Sequence, residues 1–242
     1  MIQLKCLASG SSGNCYLLQA DNGETLILDC GIGIKEIKKG LNWNITGVVG
    51  AICTHSHQDH SKSVADIRNM GIRVFNPALD IFLDVVHFGD FKIRPFDLTT
   101  VDGRWTHTNA DGTECPCYGF LITHKEMGKL LYITDTELIK WRFKGINHIL
   151  LGVNYDKDLV DTDNPKANHV FRGHLSIDTA CDFVKANDSD NLQNVIMCHL
   201  SSENADKDSF IEKMKKVACG ANVDVAVAGK SWDLKNPSEC PF

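Results

Sequence analysis

Short apolar runs separated by polar turns set the rhythm of this chain. Leu4-Lys5-Cys6-Leu7, Cys15-Tyr16-Leu17-Leu18, Thr25-Leu26-Ile27-Leu28 and Val48-Val49-Gly50-Ala51-Ile52-Cys53 read as strands. Each is bounded by turn residues and is too short for a stable helix. Further strands are predicted at Arg73-Val74-Phe75, Phe91 to Phe96, Tyr118 to Thr123, Lys129 to Thr134, His148 to Val153 and Asn194 to Cys198, with Val223 to Ala228 as the final one. Phe91 to Phe96 alternates and carries Pro95, which predicts an edge strand. Helical patterns cover Ile34 to Lys39, closed by Gly40, and Ser63 to Met70, stopped by Gly71. Two more run from Ile177 to Ala186, with Ser176 as N-cap, and from Asp206 to Cys219. Asn76-Pro77 reads as a break, and Asp156 to Asn168, with Pro165, as a loop. No Pro/Gly/Ser-rich linker, repeat or low-complexity segment divides the pattern. The expectation is one α/β domain over residues 1–242.

Composition narrows the class. With 242 residues and 43% hydrophobic content, the chain can bury a sizeable core. No apolar run approaches a membrane span. Met1-Ile2-Gln3-Leu4-Lys5 lacks the charged start, apolar core and cleavage site of a signal peptide. A cytoplasmic location without a membrane partner is therefore expected. Ten cysteines suggest a disulfide framework. However, Cys6, Cys53 and Cys198 lie in strand-like runs and Cys181 in a helix, where cysteine behaves as a small buried hydrophobe. No CxxC pair exists, and Cys115-Pro116-Cys117 is the nearest approach to a metal or redox pair. The net charge of −6 gives no global polyanion trap. A nucleic-acid substrate would need a local patch and bound metal, and sequence-specific groove reading is not expected.

Chemistry concentrates in Thr54-His55-Ser56-His57-Gln58-Asp59-His60, directly after a strand. Three imidazoles and a carboxylate fall within six residues, and these are ligands that zinc, manganese and iron accept. His55 and His57 can share one ion, while Asp59 and His60 can face a second. Two other apolar runs end in a potential ligand, Tyr132-Ile133-Thr134-Asp135 and Ile196-Met197-Cys198-His199. Strand ends on one edge of a layered α/β fold gather at a common crevice. His107, in the irregular polar segment Gly103 to Cys117, can fold over the same edge. Each of these residues also has a plainer reading. Asp135 can cap a helix over Glu137 to Phe143, His199 can be a satisfied core histidine, and His107 can be a surface residue. His87, His124, His148 and His169 have no second ligand nearby. Asp29 ends a strand and is either a turn residue or a support for the metal-bearing loop. Ala8-Ser9-Gly10-Ser11-Ser12-Gly13-Asn14 is a turn first and an anion cradle second.

The string Asp29, His55-x-His57-x-Asp59-His60, a later His, an Asp after a strand and a final His resembles the metallo-β-lactamase superfamily. Leu7-Ala8-Ser9-Gly10-Ser11-Ser12-Gly13-Asn14-Cys15 sharpens the match. Leu151-Gly152-Val153-Asn154-Tyr155-Asp156, Gly173-His174-Leu175-Ser176 and His199-Leu200-Ser201-Ser202-Glu203-Asn204 extend it. These strings are similar to the YycJ/WalJ-like branch, which has phage-borne relatives, and they span nearly the whole chain. The resemblance implies a four-layer αββα sandwich and a dinuclear site. His55, His57 and His107 would bind one ion and Asp59, His60 and His199 the other, with Asp135 bridging and Asp29 behind them. The third motif departs from the pattern. His107 is followed by Thr108-Asn109-Ala110-Asp111 rather than directly by Asp, so Asp111 is a candidate substitute for that acid. No long insertion resembling the β-CASP domain lies between Asp135 and His199.

Two cations about 3.5–4 Å apart lower the pKa of a shared water from 15.7 toward roughly 7, which suits hydrolysis of phosphodiesters, thioesters or lactams alike. Arg172, His174 and Ser176 stand just ahead of a predicted helix, where an anion is favoured. A phosphate is expected there, or else a capping loop with an incidental His. Asp59 and His174 are the expected catalytic residues. The resemblance implies a nucleic-acid phosphodiesterase, specifically a 5′-to-3′ DNA exonuclease, with DNA a better fit than RNA. A small-molecule metallohydrolase acting on a cyclic nucleotide, thioester or lactam uses the same ligands, and a non-catalytic metal-binding module is the third class.

Overall fold

A computed structural model describes residues 1–76, 84–109, 111–161, 163, 170–218 and 220–236. Pro77, most of the segment around Pro165, His169 and Cys219 lie outside the described residues.

Two mixed sheets face each other. The first contains β1 (Ile2–Ala8), β2 (Cys15–Gln19), β3 (Thr25–Leu28), β4 (Val48–Ile52), β5 (Val74–Phe75) and β13 (Ser231–Leu234), in the order β13-β1-β2-β3-β4-β5. The second contains β6 (Val86–Phe88), β7 (Phe91–Asp97), β8 (Tyr118–His124), β9 (Gly128–Ile133), β10 (His148–Gly152), β11 (Asn194–Cys198) and β12 (Asn222–Val225), in the order β12-β11-β10-β9-β8-β7-β6. Between the sheets Leu4, Tyr16, Leu18 and Leu28 pack against Phe120, Tyr132, Leu150 and Ile196. The helices α1 (Ile34–Gly40), α2 (Gln58–Ser61) and α3 (Val64–Asn69) belong to the first half of the chain; Ile37 and Ile67, from α1 and α3, cover the outer face of the first sheet. Helices α4 (Ile177–Asn187) and α5 (Lys207–Lys215) cover the second through Phe183, Val184, Phe210 and Met214. This is the expected αββα layering. Strands buried on both faces explain why β3, β10 and β11 read as continuous apolar runs rather than alternating ones.

Several local expectations are corrected. β7 is the penultimate strand of its sheet. The unpredicted β6 pairs with it only from Phe91 to Ile93, so Pro95 lies beyond that ladder and its missing N–H is tolerated there. Val223 to Ala228 is not the final strand, because β13 follows and closes onto β1. Segment 137–143 is not helical. Instead Ile139 and Phe143 pack on the core under the second sheet and the Trp141 indole N–H donates to the Asp97 carbonyl. Gly40 ends inside α1 rather than capping it. A Cβ there would meet Leu7 Cδ1 at 2.5 Å, so its role is helix–sheet approach. Ser176 caps α4, accepting from Thr179 N. Among the described residues no helix is long and apolar enough to cross a membrane.

The topology decides where the chemistry goes. β9, β10 and β11 run parallel in register, Ile133 beside Leu151 and Gly152 beside Cys198. Their C-terminal ends therefore open on one rim, and the ends of the parallel pair β3 and β4 lie on the same rim in the other sheet.

Candidate metal centre

The residues immediately after the strands carry the site. Asp29 after β3, Asp135 after β9 and His199 after β11 all adopt left-handed backbone, with φ of 54°, 44° and 54°. Non-glycine residues rarely sit there, and such strain clusters at functional sites. At each position the reversal turns the side chain back across the rim instead of continuing the strand. The loop after β4 supplies His55 and His57, and the single turn α2 supplies Asp59 and His60. His107 arrives from the loop between β7 and β8, pinned by the Cys115 N–H donating to the His107 carbonyl at 2.9 Å.

Two donor sets result. His55, His57 and His107 form one, and Asp59, His60, Asp135 and His199 form the other; within each set the ligand atoms lie within 4.8 Å of one another. Asp135 Oδ2 lies 2.7 Å from His60 Nε2 and 3.6 Å from both His55 Nε2 and His199 Nε2. It thus stands between the sets, while Asp59 Oδ2 lies 3.2 Å from His199 Nε2.

The outer nitrogens fix the tautomers. His107 Nδ1–H donates to the Gly173 carbonyl at 3.1 Å, and His57 Nε2–H donates to Asn109 Oδ1 at 3.0 Å. Thr54 Oγ1 gives its hydrogen to the Asp29 carboxylate and can then accept from His55 Nδ1–H at 3.0 Å. His60 Nδ1–H donates to Asp29 Oδ2 at 2.7 Å. Each of these rings thereby turns its other nitrogen inward. His57 Nδ1 and His107 Nε2 face each other at 3.0 Å, a repulsive arrangement unless a positive charge sits between or beside them. His55 Nε2 is fully buried with no protein partner. A divalent cation satisfies all three, so the residues fit the metal that this donor chemistry implies.

The electrostatics divide the rings: against burial, which lowers both, Asp135 and Asp29 raise His60 and Asp135 and Asp59 raise His199, so a cation would displace a proton there. Burial holds His55 well below the usual histidine range, and it holds His107 down at about 4. Both imidazoles are therefore neutral, as ligands must be. Burial would raise the Asp135 carboxyl, but His199 and His60 hold it well below the ordinary value. Asp29 accepts from Thr54 N at 2.8 Å, Thr54 Oγ1 at 3.0 Å, His60 Nδ1 at 2.7 Å and Tyr132 OH at 2.6 Å. It joins the two sheets directly behind the ligands.

A cavity of about 310 Å³ opens over both sets, lined by Ser11, His57, Asp59, His107, Asp135, Asn154, Val170, His174, His199 and Ser201. His174 Nδ1 lies 3.1 Å from Asp135 Oδ1, so His174 joins the site. The other two expected phosphate contacts do not. The Ser176 hydroxyl is buried in its capping bond, and Arg172 is exposed and outside the cavity lining. Asp111 is also a correction. It is exposed, and its carboxylate holds Thr113; Asn109 is the residue that reaches the site. Asn14, Asn109, Asn154 and Ser201 carried no signal of their own in the sequence, because amides and hydroxyls have no ligand pattern. The Gly/Ser segment is both turn and wall. Ser9 Oγ accepts from the His199 N–H at 2.9 Å, and Ser11 faces the cavity. Cys117 Sγ is 3.7 Å from His55 Nδ1, and the Cys115 thiol lies beside His57. Away from the rim, His124 converges with Glu24 and Asp90. Its Nδ1 accepts from the Glu126 N–H at 3.2 Å, which leaves the hydrogen on Nε2 and no lone pair for a cation.

Comparison with known proteins places this rim in context. Residues 8–70 match the metallo-beta-lactamase superfamily. The exodeoxyribonuclease YycJ of Bacillus anthracis is 27% identical over 186 residues, covering 66% of this chain and 65% of that protein. The exodeoxyribonuclease WalJ of Streptococcus pneumoniae serotype 2 is 22% identical over 96% of this chain and 95% of that protein. The likeness to the metallo-beta-lactamase superfamily thus rests on residues 8–70 and on these distant relatives. Within it, the similarity runs to the YycJ/WalJ-like branch. The metallo-beta-lactamase fold protein YhfI from Bacillus subtilis superposes with a TM-score of 0.69 at 15% identity, covering 96% of this chain and 100% of that one. The His and Asp clusters, together with these likenesses, support a metal-dependent hydrolase.

Proposed function

We propose that the protein hydrolyses phosphodiesters in nucleic acid, as a 5′-to-3′ DNA exonuclease working with two divalent ions of zinc, manganese or iron. We take residues 1–242 as one catalytic domain, since both sheets supply donors. The observation that carries the reading is the single cavity into which both donor sets and His174 face. The names of the YycJ and WalJ relatives support DNA as substrate. Bound there, the ions would activate water at neutral pH and neutralise charge on a phosphate.

The chain's own residues do the rest. His55, His57 and His107 would hold one ion and Asp59, His60 and His199 the other, with Asp135 standing between the two sets. Asp59, whose side chain is 24% exposed, faces the cavity and takes a proton from the attacking water. Asp135 steadies His174 through Nδ1, so the His174 ring presents Nε2 to exchange a proton with the leaving oxygen. Ser11, Asn154 and Ser201 line the space beside the scissile group and orient it.

The net charge of −6 favours a second reading, a small phosphodiester or thioester substrate on the same residues. Metal-loaded protein is incubated with 5′- and 3′-labelled single- and double-stranded DNA, and in parallel with a small chromogenic phosphodiester. Release of 5′ nucleotides ahead of 3′ label supports the exonuclease. Intact 5′-phosphorylated DNA with rapid small-substrate turnover refutes it in favour of the second reading.

A further inference from the structure

We infer that Asn109 is the positioning residue that turns the Nδ1 lone pair of His57 toward the three-histidine cation site. The inference rests on the metal reading above. His57 is a half-buried ring at the head of α2, where nothing in the chain direction selects one nitrogen over the other. A neutral imidazole presents a lone pair at only one nitrogen, and the acceptor at the opposite nitrogen decides which. Asn109 Oδ1 is that acceptor, 3.0 Å from His57 Nε2.

Asn109 itself is held from behind. Its Nδ2 donates to Thr113 Oγ1 at 3.0 Å and to the Glu114 carbonyl at 3.4 Å. Thr113 Oγ1 can accept because it donates its own hydrogen to Asp111 Oδ1 at 2.6 Å. The Asn109 backbone N–H closes the loop on the Thr113 carbonyl at 2.8 Å. The amide is therefore oriented, oxygen toward His57 and nitrogen toward the loop. Read inward, Asp111 sets Thr113, Thr113 sets Asn109, and Asn109 sets His57. Asp111 thus acts at the site only through two intermediaries, and the exposed outer end of the relay contributes least.

The test uses two isosteric variants, Asn109→Leu and Asn109→Asp. Leu keeps the volume and deletes the acceptor, whereas Asp restores it. In the metal-free protein, long-range ¹⁵N spectra of the histidine rings report the tautomer directly. Wild type and Asn109→Asp are expected to show hydrogen on His57 Nε2, whatever Nδ1 carries toward His107, and Asn109→Leu to show Nε2 bare in part of the population. Zn²⁺ titration by calorimetry should then show the three-histidine step weakened about 10–100-fold in Asn109→Leu. The Asp59/His60/Asp135/His199 step should be unmoved, and Asn109→Asp should lie near wild type. An unchanged His57 tautomer and unchanged Zn²⁺ affinity in Asn109→Leu overturn the inference. So does a tautomer that shifts instead in Cys115→Ala, which would assign the role to the neighbouring thiol. Should wild type take up no Zn²⁺ at all, the metal reading fails, while the metal-free spectra still decide what Asn109 does to His57.

Discussion

Replacing Asp29 by Ala isolates the support behind the ligands. The carboxylate accepts from Thr54 N, Thr54 Oγ1, His60 Nδ1 and Tyr132 OH and is fully buried. Thr54 Oγ1 can turn to another acceptor, so three donors are stranded: the Thr54 amide, the Tyr132 hydroxyl and His60 Nδ1–H. A buried donor left without a partner costs about 1–3 kcal/mol, and neighbours sharing one acceptor do not add fully. The expected loss is about 4 kcal/mol, a large part of the roughly 5–15 kcal/mol that holds a domain together. Tyr132→Phe removes one of the four bonds and strands nothing, so it should cost only about 1 kcal/mol. Urea unfolding of chelator-treated protein measures both. Because Asp29 also fixes the His60 tautomer, Asp29→Ala should weaken cation binding by about 10–100-fold, and Tyr132→Phe should leave it within a few-fold. Should Asp29→Ala unfold within about 1 kcal/mol of Tyr132→Phe and bind Zn²⁺ equally well, Asp29 is a turn residue and the tie between the sheets lies elsewhere.

Three further outcomes follow from other parts of the rim and core. His55→Leu removes a buried nitrogen that has no protein partner, so metal-free stability should change by less than about 1 kcal/mol; mass spectrometry of the native protein should show one bound cation fewer, and unaltered stoichiometry would count against the three-histidine set. Gly173→Ala should cost about 1–3 kcal/mol in thermal unfolding, because φ is +103° and a Cβ would sit 2.4 Å from His107 Nδ1; a stable variant with normal Zn²⁺ affinity would contradict that packing. His148 gives a pH dependence away from the metal. Burial, partly opposed by its bonds to the Met127 and Lys235 carbonyls, lowers its pKa to about 4. The unfolded chain therefore takes up this proton first, and stability is lost as pH falls from about 6.5 toward 4. At pH 5 the wild-type loss from this group is about 2 kcal/mol. His148→Gln should remove that part of the pH 7-to-5 difference in urea midpoints, and identical differences in the two proteins would rule it out.

Local pattern was enough for most of the frame. Apolar runs such as Thr25 to Leu28 and Asn194 to Cys198 read as buried strands, and Ser176 marks a helix start by capping chemistry that operates within four residues. The cluster from His55 to His60 was legible for the same reason, since its donors are neighbours in the chain. What lay beyond local reach was pairing. β6 and β13 are strands because β7 and β1 offer them open edges, and 137–143 stays irregular because Ile139 and Phe143 are drawn onto the core, whatever a helix would offer locally. The same limit governs the site. His107, Asp135, His174 and His199 each had an innocent local reading, and only the parallel register of β9 to β11 and the left-handed turns after the strands bring Asp135 and His199 to one rim. Whether Asp111 or Asn109 serves His57 depended on a loop closed by hydrogen bonds. Residue types determine which chemistry is available to this chain. Which lone pairs meet is decided by tertiary packing, because orientation at the scale of an ångström is a property of contacts between segments far apart in sequence.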